Sequence, residues 1–186
     1  IRDNTLIVFT SDNGGAYEAN IGPYKGGKTD LHEGGLRVPG ILSWPARLAK
    51  DKTTLLLGHH CDLLPTFCAA AGVSLPRDFQ GDGVNLLPAL ASGASSIERG
   101  TVHWQLDLMP HIQRHYEKPR PFATEAARRG RWKMLLADGK PLALYDLEAD
   151  PLEDTDVLAK NEKVAAELAA DTRSFLTAPR DRRGFQ

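Results

Sequence analysis

Hydrophobic positions in this chain come in short blocks, each with its own period. Thr5–Thr10 holds the continuous apolar run Leu6, Ile7, Val8, Phe9 and is closed by Ser11-Asp12-Asn13-Gly14-Gly15. A β-branched run of that length with turn residues behind it predicts a buried parallel strand entering a loop. From Gly14 to Gly35 no period is sustained, which predicts loop. Val38–Trp44 is a second strand candidate, closed by Pro45. Over Asp62–Ala71 the spacing becomes helical. Leu63, Leu64, Phe67, Cys68 and Ala71 form one stripe, with Asp62 as N-cap, Pro65 in the tolerated first turn and Gly72 just past the end.

Pro76–Gly100 is rich in Gly, Pro, Ser and Asp and reads mostly as loop, with a boundary near its end. The pattern then changes. Trp132–Ala137 and Leu142–Leu147 flank Asp138-Gly139-Lys140-Pro141, and Asp-Gly between strand-like runs predicts a hairpin. Thr101–Gln105 is a candidate third strand of that antiparallel sheet. Asn161 is placed to cap a helix to about Leu176, with Val164, Leu168, Phe175 and Leu176 along one face. The polar end, Pro179–Gln186, reads as frayed.

Composition narrows the class. The 186 residues are 41% hydrophobic and 25% charged with a net charge of −1, ordinary for a folded domain. That balance gives no global electrostatic reason for nucleic-acid or membrane binding. Cys61 and Cys68 have no further Cys or His at zinc-ligand spacing and form no disulfide framework. No apolar run is long enough to span a bilayer, and no signal peptide is visible. The start at Ile1, five residues before a core-like strand, reads as the start of a fragment.

Candidate chemistry lies in Thr10–Pro39. Asp12 and Asn13 offer a carboxylate and an amide carbonyl, hard oxygens suited to Ca²⁺ or Mg²⁺, although Asp-Asn-Gly-Gly also favours a simple turn. Lys28 on a glycine-rich loop suits an anion. Gly22 to Thr29 formally matches the G-x-x-x-x-G-K-[ST] phosphate loop. That mechanism needs a strand before and a helix after, and two glycines and Pro39 argue against a helix there. Glu33 and Arg37 read as an ion pair pinning the loop, and His32 reads as packing. His59 and His60 are adjacent, so their side chains point apart and make a poor joint metal site. His111–Lys133 sets Arg114, Lys118, Arg120, Arg128, Arg129, Arg131 and Lys133 against Glu117 and Glu125, with Tyr116, Phe122 and Trp132 interleaved. It reads as a solvated loop and strand face in preference to a surface for an anionic polymer.

Taken together, these residues carry a resemblance. The stretch from Asp3 to Pro39 resembles the C-terminal half of a type I sulfatase, the arylsulfatase family of the alkaline-phosphatase-like superfamily. That family has a strand ending in T-[SA]-D-N-G, then a lysine five residues before E-G-G-[ILV]-R-x-P; here the lysine is Lys28 and the glutamate Glu33. Asp62 to Thr66 with Ala71-Gly72 is similar to its D-x-x-P-T…A-G helix. Asp82 to Pro88 is similar to its D-G-x-S-L-x-P. Arg128 to Lys133 and Leu144 to Pro151 are similar to its R-x-G-x-W-K and L-Y-D-L-x-x-D-P.

The resemblance implies an α/β fold. Residues 1–100 would be the C-terminal part of the sulfatase catalytic domain, and 101–186 a small antiparallel subdomain with a C-terminal helix. It implies hydrolysis of a sulfate monoester, with Asp12 and Asn13 as ligands of a divalent metal, usually Ca²⁺, and Lys28 as the catalytic, sulfate-binding lysine. Asp12, Asn13 and Lys28 would then converge on one sulfate pocket. The family's nucleophile is a formylglycine made within C-x-P-x-R or S-x-P-x-R, and neither cysteine begins such a motif: Leu63 and Ala70 stand where the prolines after Cys61 and Cys68 would be. The expectation is therefore half an active site, inactive alone, whose partner is the missing N-terminal half of the domain. Its substrate would be a sulfate ester such as a sulfated carbohydrate, and its setting periplasmic or secreted. A phosphate or phosphonate ester hydrolase of the same superfamily, or a non-catalytic anion-binding module, stays open as an alternative.

Overall fold

The computed structural model describes residues 1–16, 19–79, 81–107 and 122–178. The basic segment's first part, through residue 121, and the polar end from 179 lie outside the described residues. The chain divides into two compact units: Ile1–Asp12 with Val38–Gly100, and Asn13–Arg37 with Thr101–Gln186.

In the first unit β1 (Ile7–Thr10) pairs with β2 (Gly40–Ser43), Phe9 opposite Ile41. The pairing is antiparallel, which corrects the expected parallel strand, and the strand is not buried. Ile7 is 55% exposed, Phe9 61% and Ile41 59%. Alternation puts Ile7 and Phe9 on one face and the register adds Ile41 beside them, so an apolar sheet face stands open.

The expected helix runs over Leu63–Ala71 (α2, counting Glu33–Leu36 of the second unit as α1) and ends on Gly72 at φ 69°. Its apolar stripe does not face inward: Leu64 and Phe67 are exposed, while Asp62, Pro65 and Thr66 are buried. Nor does Asp62 cap α2. It closes a preceding 3₁₀ turn (His60–Asp62), accepting the His59 N–H at 2.7 Å. The inward face is polar because Asp62 and Thr66 hold the next segment. Val84 N–H donates to Asp62 and Leu86 N–H to the Thr66 hydroxyl, at 2.9 and 3.0 Å. That segment enters a short helix, α3 (Leu87–Ser92), where loop was expected. Pro88 in its first turn and buried Leu86 and Ala89 account for it.

The second unit is built on a four-stranded antiparallel sheet, β3 (Val102–Gln105), β4 (Glu125–Arg129), β5 (Trp132–Ala137) and β6 (Lys140–Asp146), in that spatial order. The predicted hairpin is present, with Asp138 at φ 52° and Gly139 at φ 73° supplying the left-handed turn. A register shift at Leu135/Leu136 falls opposite Pro141, which has no N–H to give to the ladder. The final helix, α4 (Glu162–Thr177), turns Ala165, Leu168, Ala169 and Thr172 inward. Asn161 gives it no side-chain cap; its Nδ2 donates back to Val157 O at 3.0 Å.

The sheet has two covered faces. Ala127, Met134, Leu136 and Leu144 pack under α4, and Ala126, Leu135, Ala143 and Tyr145 pack with Leu31 of the Asn13–Arg37 loop. Strand alternation therefore puts Lys133, paired with Arg128 and Tyr145, on the loop-covered face. Lys133 is wholly buried there, against the expectation of a solvated strand face. The loop itself is not all coil: α1, a single turn over Glu33–Leu36, forms where the two glycines argued against a helix.

Candidate functional site

The Asn13–Arg37 loop folds back on itself so closely that glycine is required. A Cβ on Gly14 would lie 1.8 Å from the Gly34 carbonyl oxygen, and one on Gly35 would lie 2.1 Å from that of Asp30. The gaps are closed by backbone bonds: Gly14 N–H to Gly35 O at 2.9 Å, Gly34 N–H to Lys25 O at 2.7 Å, and Lys28 N–H to Gly15 O at 2.8 Å. Asn13 and Lys28, fifteen positions apart in sequence, are thereby carried on adjoining strands of one loop. Asp12 is the last residue of the other unit's first segment.

Lys28 is exposed, and its side chain meets no partner among the described residues. The loop's other lysine differs: Lys25 Nζ donates to Glu153 O at 2.6 Å and lies 3.6 Å from Asp154. Directly after Lys28, Thr29 sits at φ 68°. A β-branched residue in the left-handed region costs about 1–3 kcal/mol, and such strain persists where the surroundings fix it.

Asp12 is exposed and Asn13 half-buried, its Nδ2 donating to Gly14 O at 2.9 Å. The pair fits a hard divalent cation in the chemistry of its donors, one carboxylate and one amide oxygen, and would fill two of about 6–8 positions around Ca²⁺. Among the described residues no group of three or more His, Cys, Asp and Glu gathers as a metal cluster. The turn carrying Asp12 is held from α2's side of its unit, since His60 Nε2 bonds the Ser11 carbonyl at 2.9 Å.

Glu33 does more than pair with Arg37, which stands 3.9 Å away and stacks over Tyr24. Its buried carboxylate takes a hydrogen bond from Lys133 Nζ at 2.9 Å, and its backbone N–H donates to Glu153 Oε2 at 2.6 Å. Lys133 Nζ also lies 2.8 Å from Glu153 Oε1. Arg128 reaches Glu33 at 3.9 Å, and burial pulls its guanidinium below the ordinary arginine range against the pull of Glu33. His32 packs near Tyr145, with Nδ1 2.7 Å from Asp30. Burial, with Glu153 next in importance, pushes the Tyr145 phenol up to about 12.

His59 and His60 have separate partners. His59 Nδ1 takes the Cys61 N–H at 3.2 Å and lies 3.0 Å from Cys61 Sγ. Burial foremost lowers the His59 pKa, and burial followed by the Asp62 charge raises that of Cys61. The two groups therefore stay neutral together, which is the opposite of an activated thiolate. Sequence reasoning did not single out Arg99, Glu153 or the burial of Lys133. The run Trp132–Ala137 is apolar on both faces apart from one lysine, and that signal pointed to a buried cation needing a carboxylate.

Comparison with known proteins finds sulfatases. Residues 1–73 match the sulfatase family profile. The chain is 39% identical over 99 residues to human N-acetylgalactosamine-6-sulfatase, covering 50% of this chain and 19% of that protein. It is 29% identical over 195 residues to the N-acetylgalactosamine-6-O-sulfatase of Bacteroides thetaiotaomicron, covering 95% of this chain and 37% of that protein. Among solved structures, Ps i-CgsB superposes with a TM-score of 0.78 at 30% identity, over 94% of this chain and 37% of that one. The chain thus spans well under half the length of these relatives. It is similar to the sulfatases, by profile over residues 1–73 and by sequence and fold over most of its length.

Proposed function

We propose that this chain contributes to the hydrolysis of sulfate monoesters, with Lys28 as the residue that contacts the sulfate group. The observation that carries the reading is the contrast between the two loop lysines: Lys25 is tied to Glu153, whereas Lys28 is exposed on strained, glycine-tight backbone. An ammonium there neutralises charge on the non-bridging oxygens as the ester bond breaks, and that is worth most in the transition state.

Asp12 and Asn13 would hold the divalent metal, calcium in this reading, through a carboxylate and an amide oxygen. When bound, such an ion supplies Lewis-acid stabilisation of the same oxygens. In this reading the nucleophile comes from sequence other than these 186 residues: neither cysteine begins a C-x-P-x-R motif, and the one formal S-x-P-x-R match, Ser43-Trp44-Pro45-Ala46-Arg47, begins at the last residue of β2. Two relatives are named for N-acetylgalactosamine 6-sulfate chemistry, and Ps i-CgsB was also solved with a neocarrahexaose. A sulfated carbohydrate is the substrate class we favour, in a periplasmic or secreted setting.

Steady-state kinetics on the intact protein bearing this sequence test the reading. Lys28→Ala should lower kcat/KM for a chromogenic aryl sulfate by about 10²-fold while leaving metal affinity unchanged. Wild-type kinetics in that variant, or faster turnover of the matching aryl phosphate than of the sulfate, would refute it.

A further inference from the structure

The loop that carries Lys28 is anchored from beneath by charges that hydrophobic side chains would replace at little cost in stability. Lys133 and Glu153 are wholly buried and Glu33 nearly so. Taking ions out of water costs several kcal/mol each, and apolar residues of similar volume often do as well. Such a cluster gains something else: direction. Lys133 Nζ holds Glu33 Oε1, and Glu153 holds the Glu33 backbone N–H with its carboxylate and the Lys25 ammonium with its carbonyl. Arg128 and Arg37, each 3.9 Å from Glu33 Oε2, add further positive charge beside that carboxylate.

Glu33 opens α1, so fixing it fixes Gly34 and Gly35. Those glycines touch the rest of the loop backbone to backbone: Gly34 to Lys25, and Gly35 to Gly14, Gly27 and Asp30. Gly27 precedes Lys28, and Gly15, which follows Gly14, accepts the Lys28 N–H. Two non-glycine residues of this unit with positive φ belong to the same assembly, Thr29 after Lys28 and Glu153 in the cluster, at 68° and 61°. Strained backbone at both ends of a rigid chain of contacts is what a preorganised site requires.

We propose that the buried Lys133–Glu33–Glu153 cluster is a positioning device for the Lys28 ammonium, an inference that rests on Lys28 being the sulfate contact. These residues touch no substrate; they act through Gly34, Gly35 and Gly27. A merely structural cluster would lower stability alike whatever stands at position 28. A positioning cluster loses its effect on the anion once Lys28 is gone.

The test is a double-mutant cycle on the intact protein, with inorganic sulfate as the calorimetric probe and the melting temperature as control. Lys28→Ala alone should weaken sulfate binding. Glu33→Gln should weaken it about tenfold with Lys28 present and less than about twofold in the Lys28→Ala background, the thermal shift being equal in both. Glu33→Asp, which keeps the charge and withdraws it by one methylene, serves if Glu33→Gln does not fold, and the same non-additivity is expected. Equal weakening in the two backgrounds, or undiminished sulfate affinity in a folded but less stable Glu33 variant, overturns the positioning role alone. Lys28→Ala with unchanged sulfate affinity overturns the reading of Lys28 and this inference with it.

Discussion

Arg99 grips Asp62 with both ends of its guanidinium, Nη1 at 2.8 Å from Oδ2 and Nη2 at 3.2 Å from Oδ1, at a point where the carboxylate is wholly buried. The same nitrogen Nη1 holds Leu57 O at 3.0 Å. Arg99→Met would leave Asp62 charged, buried and without its cation. Unfolding in urea should show a loss of about 3–5 kcal/mol. The double variant with Asp62→Asn should lose less than the sum of the two single changes, because the stranded charge is gone. Additive losses would show that the pair is not coupled.

Gly14 has no room for a side chain, whereas a Cβ on Gly100 would meet no atom within 4 Å, on backbone whose φ is not positive. Gly14→Ala should therefore cost about 1–3 kcal/mol, through backbone that must shift by more than a side chain can absorb. Gly100→Ala should be neutral within about 0.5 kcal/mol. Parallel thermal melts decide it; an unaffected Gly14→Ala protein would mean that the loop is not packed as described.

His59 gives a pH signature. Its pKa is lowered in the folded state, burial being the largest cause. The unfolded chain therefore takes up the proton first, and linkage makes stability fall as pH drops below about 6.5, the ordinary histidine value. Above that value both states are neutral at this site and no dependence remains. His59→Asn keeps an acceptor for Cys61 N–H without the titration, so its melting temperature should fall less steeply than the wild type's on acidification. Superimposable slopes for the two proteins would remove His59 as the cause.

The metal reading separates Asp12 from its support. Asp12→Ala removes a charged ligand and should weaken Ca²⁺ binding most. His60→Ala removes the bond to Ser11 O, one residue before that ligand, and the longer 3.5 Å contact with Thr10 Oγ1, and should weaken it by roughly 10-fold. Calcium titrations of both variants check the order. A His60 variant with unchanged affinity would show that the turn holds its shape unaided.

Local signals made the hairpin, the final helix and α2 legible, because Asp138-Gly139, the spacing of Leu168 and its neighbours, and Gly72 each act within a few residues. What escaped was set over distance. The run at Ile7–Thr10 reads as a strand, but neither its partner's direction nor the exposure of Phe9 is written in it. The stripe on α2 reads as inward, yet Asp62 and Thr66 turn the helix because their partners are Arg99, Val84 and Leu86. Lys133 reads as surface until Glu33, a hundred positions earlier, is placed over it. For the candidate site, family motifs pointed to Asp12, Asn13 and Lys28, whereas no motif marked Lys133, Glu33 and Glu153 as one cluster.

The anchoring of Glu33 also sets an order of assembly. Its partners lie 100 and 120 positions downstream, so the loop it belongs to is made early and completed late. Closing so long a stretch costs chain entropy that only the finished sheet offsets, since Lys133 must first be paired between Arg128 and Tyr145. During synthesis the Asn13–Arg37 segment therefore waits, open and rich in glycine, until β5 and the residues around Glu153 have emerged. Pulse-labelled hydrogen exchange would see the Gly34 amide gain protection after the amides of β5, never before them.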